Sequence, residues 1–303
     1  MMPLDPSDLQ AQKPRRATLI ERLHPTLALA KDFLARRRRA LLGIATILFV
    51  GGFAWSLDAA QIGLAAIAWV WLLASVFLGF AGVVLNGLEL GLCAAAVGKR
   101  FPPIEAIRLS SVGILSNLLP IPASALVRGG GLVARGASVV ESGRILLYVG
   151  LLRFTVAGAF TGVALTSFPL VGGSLLASAA LFALIVRSGG FRVATGLLGL
   201  RVAMLGVVAV RLLLCFWALG ASADLYDAAL HAIAPVVGSV VGLVPGGIGV
   251  SETIGAGLAM IVRQSPAVAF AALALNRLGG YLCSFITLAL FEAADLVRQR
   301  RPA

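Results

Sequence analysis

Charged side chains are scarce in this sequence. Only 13% of its 303 residues are Asp, Glu, Lys or Arg, whereas 59% are hydrophobic and the mean hydropathy is +0.99. In soluble globular proteins about a quarter of the residues are charged. The composition therefore excludes an ordinary soluble domain and predicts an integral membrane protein.

Residues that build catalytic, redox or metal sites are also few. The three cysteines, Cys93, Cys215 and Cys283, lie in apolar segments without paired spacing, which favours small core residues over disulfides or metal ligands. His24 and His231 are isolated, and we expect His231 to be a solvated surface residue. No Ser/His/Asp constellation or phosphate-binding loop is present, so the sequence predicts neither an enzyme nor a cofactor.

Long apolar segments, in contrast, are abundant. Six of them approach the roughly 17 to 25 residues that a membrane-spanning helix needs, and none alternates polar and apolar residues as barrel strands do. They cover residues 40–57, 62–88, 145–166, 170–186, 202–221 and 267–291. The predicted fold class is all-α integral membrane, with about six transmembrane helices.

The net charge of +12 is concentrated near the chain termini. Nine Lys and Arg residues precede the first apolar segment, and three follow the last one. This placement fits the positive-inside rule better than nucleic-acid binding. We therefore expect a bacterial inner-membrane protein with a cytoplasmic tail at 1–39, a membrane domain at 40–297 and a second cytoplasmic tail at 298–303. Residues 18–35 have the apolar spacing of an interfacial helix, although a basic tail that only sets the topology is the alternative.

Two further apolar segments are interrupted by Pro and Gly. Residues 104–127 contain Pro120 and Pro122, and residues 228–262 contain the Val-Pro-Gly-Gly-Ile-Gly run at 244–249. The basic residues flanking the first segment should stay on one side of the membrane, so it should enter and return. Paired breaks of this kind predict two re-entrant hairpins in an inverted-topology repeat, with a binding site near the membrane midplane.

Polar side chains within these apolar segments are the candidate site residues, because an ionised group at membrane depth costs at least about 2.5 to 3.5 kcal/mol unless it is paired or hydrated. Glu89, Asn86 and Arg211 belong to this group. Glu252 either caps the helix that follows the second break or faces a polar cavity. Arg153 either snorkels to the interface, binds a lipid phosphate or pairs with a carboxylate.

Arginine and backbone groups near the breaks suit an anionic headgroup. Arg128 and Arg135 follow Pro120, and guanidinium groups match phosphate oxygens, although a purely topogenic role is the alternative. The glycines of the second break free backbone N–H groups that can face a ligand. The predicted substrate-binding residues are Asn117, Pro120, Arg128, Arg135, Pro245, Gly246, Gly247, Gly249, Glu252, Asn276 and Arg277.

The two broken segments carry motifs of a known family. Residues 117–120 are Asn-Leu-Leu-Pro, and Val127-Arg128 and the Ala-Arg-Gly-Ala-Ser run at 134–138 follow them. Residues 244–252 are Val-Pro-Gly-Gly-Ile-Gly-Val-Ser-Glu, and Asn276-Arg277 lies further along. This pattern resembles the lysylphosphatidylglycerol synthase transmembrane, or flippase-like, family.

The resemblance covers about residues 40–297, and it implies lipid translocation rather than lipid synthesis. The aminoacyltransferase domain of the bifunctional members has no counterpart in this sequence. The expected partner is a membrane lipid with a polar or anionic headgroup. The alternatives are an ion or small-solute secondary transporter and a non-transporting partner of a lipid-modifying enzyme. A homo-oligomer is also left open, whereas no nucleic acid is expected.

Overall fold

The computed structural model describes residues 43, 46–47, 49–118, 123–239 and 247–299. Every regular element in these ranges is helical, and none of their residues forms a strand. The predicted all-α fold class is therefore confirmed. Both predicted cytoplasmic tails and the beginning of the first apolar segment fall outside the described residues almost entirely.

Eleven α-helices and one short 3-10 helix can be followed through the described ranges. Helix α1 covers residues 49–59, and the 3-10 helix covers Leu64–Ala66. The other helices are α2 (Trp69–Ala96), α3 (Pro103–Ser116), α4 (Ala123–Ala134), α5 (Val139–Ala164), α6 (Phe168–Gly189), α7 (Phe191–Ala218), α8 (Leu225–His231), α9 (Ala234–Gly238), α10 (Val250–Ile261) and α11 (Pro266–Gln299).

Five of these helices, α2, α5, α6, α7 and α11, are long and apolar enough to cross a membrane, judged by length and composition. Each corresponds to one of the six predicted segments. The remaining segment, residues 40–57, is only partly described, and its described end is helical. The chain thus has the helices of a multi-pass membrane protein.

Two spanning helices extend past the bounds of their predicted apolar segments, 62–88 and 202–221. Helix α2 continues beyond Glu89 to Ala96, and α7 begins at Phe191, so that Arg201 lies inside the helix and not in a loop. Both side chains are buried. They form an ion pair with each other, which removes much of the penalty of burying either charge alone.

The start of α5 is set by local capping. Ser138 accepts a hydrogen bond from the backbone N–H of Glu141, whose carboxylate in turn accepts one from the N–H of Ser138. This reciprocal pair satisfies two N–H groups that the first helical turn leaves without partners. As a result, α5 begins six residues before the predicted position 145.

Both interrupted segments form short helices on either side of the break. Helix α3 packs against α4, and α10 packs against α8 and α9, which follow each other closely and together form one member of the second pair. The proline and glycine breaks separate the two members of each pair, although residues 119–122 and 240–246 lie outside the described ranges. None of these helices reaches the length of a span.

Helix α2 contacts α3, α7 and α11, and α7 also contacts α11. Glycines at these crossings make room for larger side chains. A Cβ added at Gly79 would lie 2.7 Å from Cys283 Sγ, and one at Gly87 would lie 2.7 Å from Ile107 Cα. All three cysteines are buried and free, as expected of small core residues.

Candidate functional site: an arginine-rich cavity

A cavity of about 290 Å³ lies where the two pairs of short helices approach α2, α7 and α11. Its size is near the lower end of the roughly 300 to 1,000 Å³ typical of small-molecule sites. Its lining is unusually basic for a site among apolar helices. Five arginines contribute to it, namely Arg128, Arg153, Arg201, Arg211 and Arg277.

Glu89 holds two of these arginines on one side of the cavity. The carboxylate is fully buried, with Arg128 Nη1 donating to Oε1 at 2.8 Å and Arg201 Nη2 lying 2.7 Å from Oε2. Arg128 Nη2 also donates to Asn86 Oδ1 at 2.7 Å. This cluster connects α2, α4 and α7 through charged groups that hold one another in place.

Glu252 organises a second charged cluster. Arg277 Nε donates to Glu252 Oε1 at 2.7 Å, while the backbone N–H of Gly249 donates to Oε2 at 2.8 Å. Arg277 Nη2 further donates to the carbonyl of Gly247 at 3.1 Å. The two interpretations that the sequence left open therefore both hold, because Glu252 caps α10 and also lines the cavity.

The two clusters mirror each other with the charges exchanged. In the first broken segment the arginine, Arg128, pairs with Glu89 on the long helix α2. In the second the carboxylate, Glu252, pairs with Arg277 on the long helix α11. Each break is thus followed by a charged side chain that is tied to a long helix.

Arg211 is anchored by backbone oxygens. Its Nε donates to the carbonyl of Ser75 at 3.1 Å, and its Nη2 donates to the carbonyl of Asn276 at 2.6 Å. Small residues surround the guanidinium, since a Cβ added at Gly279 would lie 3.2 Å from Nη2. Arg211 therefore joins α2 to α11 while its charge is compensated by no carboxylate among the described residues.

Arg153 differs from the other four arginines. It lines the cavity from α5, is half-buried, and makes no hydrogen bond or ion pair with any residue that the structure describes. Of the five guanidinium groups it is the one that has no hydrogen-bond or ion-pair partner in the described part of the chain.

The backbone around the second break requires glycine. Gly247 has φ +65° and Gly249 has φ +82°, in the left-handed region that other residues rarely adopt. A Cβ at Gly247 would lie only 2.2 Å from the carbonyl oxygen of Gly238. This close approach brings the end of α9 against the residues that precede α10.

The predicted site residues fall into four groups. Asn117, Arg128, Glu252, Asn276 and Arg277 line the cavity, and Gly247 and Gly249 hydrogen-bond to its charged side chains. Arg135 does not line it; this residue pairs with Glu105 and packs over the Phe101 ring at 4.8 Å. Pro120, Pro245 and Gly246 lie outside the described residues.

Four charged residues of the cavity region are missing from the predicted binding residues, namely Glu89, Arg153, Arg201 and Arg211. Glu89, Arg153 and Arg211 were recognised as polar groups at membrane depth, whereas Arg201 was left outside the predicted segment at 202–221. Apolar residues continue on both sides of Arg201. An isolated charge inside such a run is the signal that could have identified it, because it needs a buried partner.

The prediction for His231 is wrong. This side chain is fully buried, its Nδ1 lies 2.8 Å from the carbonyl oxygen of Asp227, and its ring packs edge-on against Phe216 at 5.2 Å. The nearby Asp224 and Asp227 suggested an exposed surface, but they form the capping box of α8. Because α8 packs into the core, its last residue is directed inward.

A separate set of ion pairs lies on the surface at the end of α11. Arg108 on α3 pairs with Glu292 and with Asp295, the latter at 2.8 Å. Its hydrogen bond to Glu292, and to a smaller extent its hydrogen bond to Asp295, raise the pKa of the Arg108 guanidinium above its usual range. These exposed pairs fasten α3 to α11 outside the cavity.

No group of three or more His, Cys, Asp or Glu side chains that could hold a metal ion occurs among the described residues. The cavity chemistry is instead that of guanidinium, carboxylate and amide groups. Comparisons of the chain with protein-family models, with curated proteins and with solved structures find no match, so none of the three identifies its family.

Proposed function

We propose that this protein is a flippase-like transporter that moves a polar or anionic lipid headgroup between the leaflets of a bacterial inner membrane. The observation that carries the proposal is the arginine-lined cavity between the two broken segments. A headgroup crossing the hydrocarbon needs polar partners along its route, and buried charges among spanning helices mark such pathways. The motif resemblance at residues 117–138 and 244–252 supports the same function.

In this proposal the two pairs of short helices are re-entrant hairpins of an inverted repeat. The charge-exchanged pairs Arg128–Glu89 and Glu252–Arg277 support it, since each half contributes one charged hairpin side chain and one partner on a long helix. With both termini cytoplasmic, the hairpins enter from opposite faces. Their tips would then meet near the midplane, where transporters of this architecture bind substrate.

Leaflet exchange in liposomes tests the proposal. Purified protein is reconstituted with fluorescent phosphatidylglycerol, and a membrane-impermeant quencher reports the fraction of label that reaches the outer leaflet. We expect wild-type protein to accelerate exchange, and Arg128→Ala and Glu252→Ala to slow it. Arg144→Ala, on the exposed surface of the same helix as Arg153, is the matched control and should match wild type.

A small-anion transporter is the second candidate, and the modest cavity volume favours it. Guanidinium groups bind free phosphate as readily as a lipid phosphate. An anion-dependent current across voltage-clamped proteoliposomes, without lipid exchange, would favour this candidate. Exchange without current would favour the lipid transporter.

A further inference from the structure

We infer that the cavity selects headgroups of the phosphomonoester or diphosphate type, which carry about two or more negative charges, over zwitterionic headgroups. Arg153 is the residue that receives the anion. The inference rests on the proposed function for the lipid source of the ligand. Binding of the anion to the cavity, however, can be measured without transport.

Charge balance is the first argument. Five guanidinium groups line the cavity, and two carboxylates, Glu89 and Glu252, pair with three of them. The described residues of the cavity therefore carry an excess of three positive charges. An anion of matching charge would relieve this excess, because uncompensated buried charges are costly at membrane depth.

The occupancy of the carboxylates is the second argument. Both oxygens of Glu89 face arginines. One oxygen of Glu252 accepts from Arg277 and the other from the N–H of Gly249. The ammonium group of a zwitterionic headgroup would thus find no unengaged carboxylate among the described residues of the cavity and would meet the excess positive charge there. Electrostatic mismatch of this kind provides specificity against the wrong ligand.

The availability of Arg153 is the third argument. Arg128 and Arg201 are held by Glu89, and Arg211 is held by two backbone carbonyls. Arg153 has no such contact with a described residue, and its guanidinium offers several donors in a planar fork that matches phosphate oxygens. Replacing it leaves no described carboxylate unpaired, so its removal tests ligand binding with little disturbance of the fold.

Binding to purified wild-type protein in detergent tests the inference, with phosphatidic acid, phosphatidylglycerol and phosphatidylethanolamine of matched short chains as probes. A phosphomonoester carries about 1.5 to 2 negative charges at pH 7. We expect phosphatidic acid to bind most tightly, phosphatidylglycerol next and phosphatidylethanolamine least, with affinity that falls as salt increases. Equal or tighter binding of phosphatidylethanolamine would overturn the inference.

Inorganic diphosphate, measured in parallel, distinguishes the two sources of the anion. Binding weaker than that of phosphatidic acid identifies a lipid headgroup as the ligand. Equal binding identifies a free anion as the ligand. This result would contradict a lipid ligand but would leave intact the inferred preference for multiply charged anions.

Variants at position 153 locate the site. Arg153→Gln should weaken phosphatidic acid binding at least about tenfold, Arg153→Lys should retain part of the affinity, and Arg144→Gln should change nothing. Unchanged binding by a folded Arg153→Gln protein would remove Arg153 from the site. If Arg153→Gln does not fold, phosphatidic acid binding by Arg153→Lys is used instead. Wild-type affinity of Arg153→Lys would show that the planar guanidinium of Arg153 does not bind the anion.

Failure of this inference and failure of the proposed function give different results. Preferential binding of phosphatidic acid without leaflet exchange in liposomes would overturn transport and keep the anion site. Exchange that proceeds equally for phosphatidic acid and phosphatidylethanolamine would keep transport and overturn the selectivity.

Discussion

Arg277 on α11 donates its Nε–H to Glu252 on α10 at 2.7 Å, and this carboxylate is fully buried at the start of the helix that follows the second break. The same carboxylate accepts from the N–H of Gly249. Glu252 thus caps α10 directly after the break and holds Arg277 in position in the cavity. Its structural and functional contributions can be separated by mutation.

Single and double substitutions at this pair provide the first prediction. Arg277→Met or Glu252→Gln alone should lower stability by about 3 to 5 kcal/mol, because the other charge is left buried without its partner. The double variant Glu252→Gln with Arg277→Met, which keeps a cap for Gly249, should recover most of the thermal stability. Lipid exchange should remain lost. Recovery of stability together with wild-type exchange would show that the pair is only structural.

Gly247 provides the second prediction. Gly247→Leu should abolish exchange while membrane insertion persists, because the side chain would collide with the Gly238 carbonyl without changing the long apolar helices. Gly257→Leu is the matched control, since Gly257 is exposed on α10 and has room for a side chain. Insertion is measured by membrane fractionation. Loss of Gly247→Leu from the membrane fraction would indicate a folding role instead.

Glu89 provides the third prediction. Glu89→Gln should destabilise the protein more than Asp58→Asn does, since Glu89 neutralises both Arg128 and Arg201 whereas Asp58 is exposed. Removing one partner from a buried charge cluster typically costs about 3 to 5 kcal/mol. Thermal unfolding in detergent measures the difference. Equal melting temperatures would contradict the role assigned to Glu89.

Membrane orientation provides the fourth prediction. In a background with the three buried cysteines replaced by alanine, Ala134→Cys should be labelled only from the cytoplasmic side and Ser222→Cys only from the outside. Both positions are exposed, at the end of α4 and after α7 respectively. The positive-inside rule assigns them to opposite faces. Labelling of Ala134→Cys from outside intact cells would contradict the proposed topology.

The sequence by itself determined the class of the protein, the position of most long helices and the two breaks. These features depend on neighbouring residues, since hydropathy over about 19 residues identifies a span and Pro interrupts a helix. Five residues of the cavity, including Glu252 and Arg277, were also predicted. They could be predicted because they lie close in sequence to one of the two breaks or are polar residues within apolar segments.

Only the tertiary structure decided which charges meet. Arg128 lies 39 residues from Glu89, and Arg277 lies 25 residues from Glu252. Hydropathy treats an isolated charge as the end of a span, which is why Arg201 was placed before the predicted segment at 202–221 although it lies within α7. Burial of a charge becomes tolerable only when packing brings its partner within a few ångströms. That distance depends on the tertiary structure and cannot be read from residues that are neighbours in the sequence.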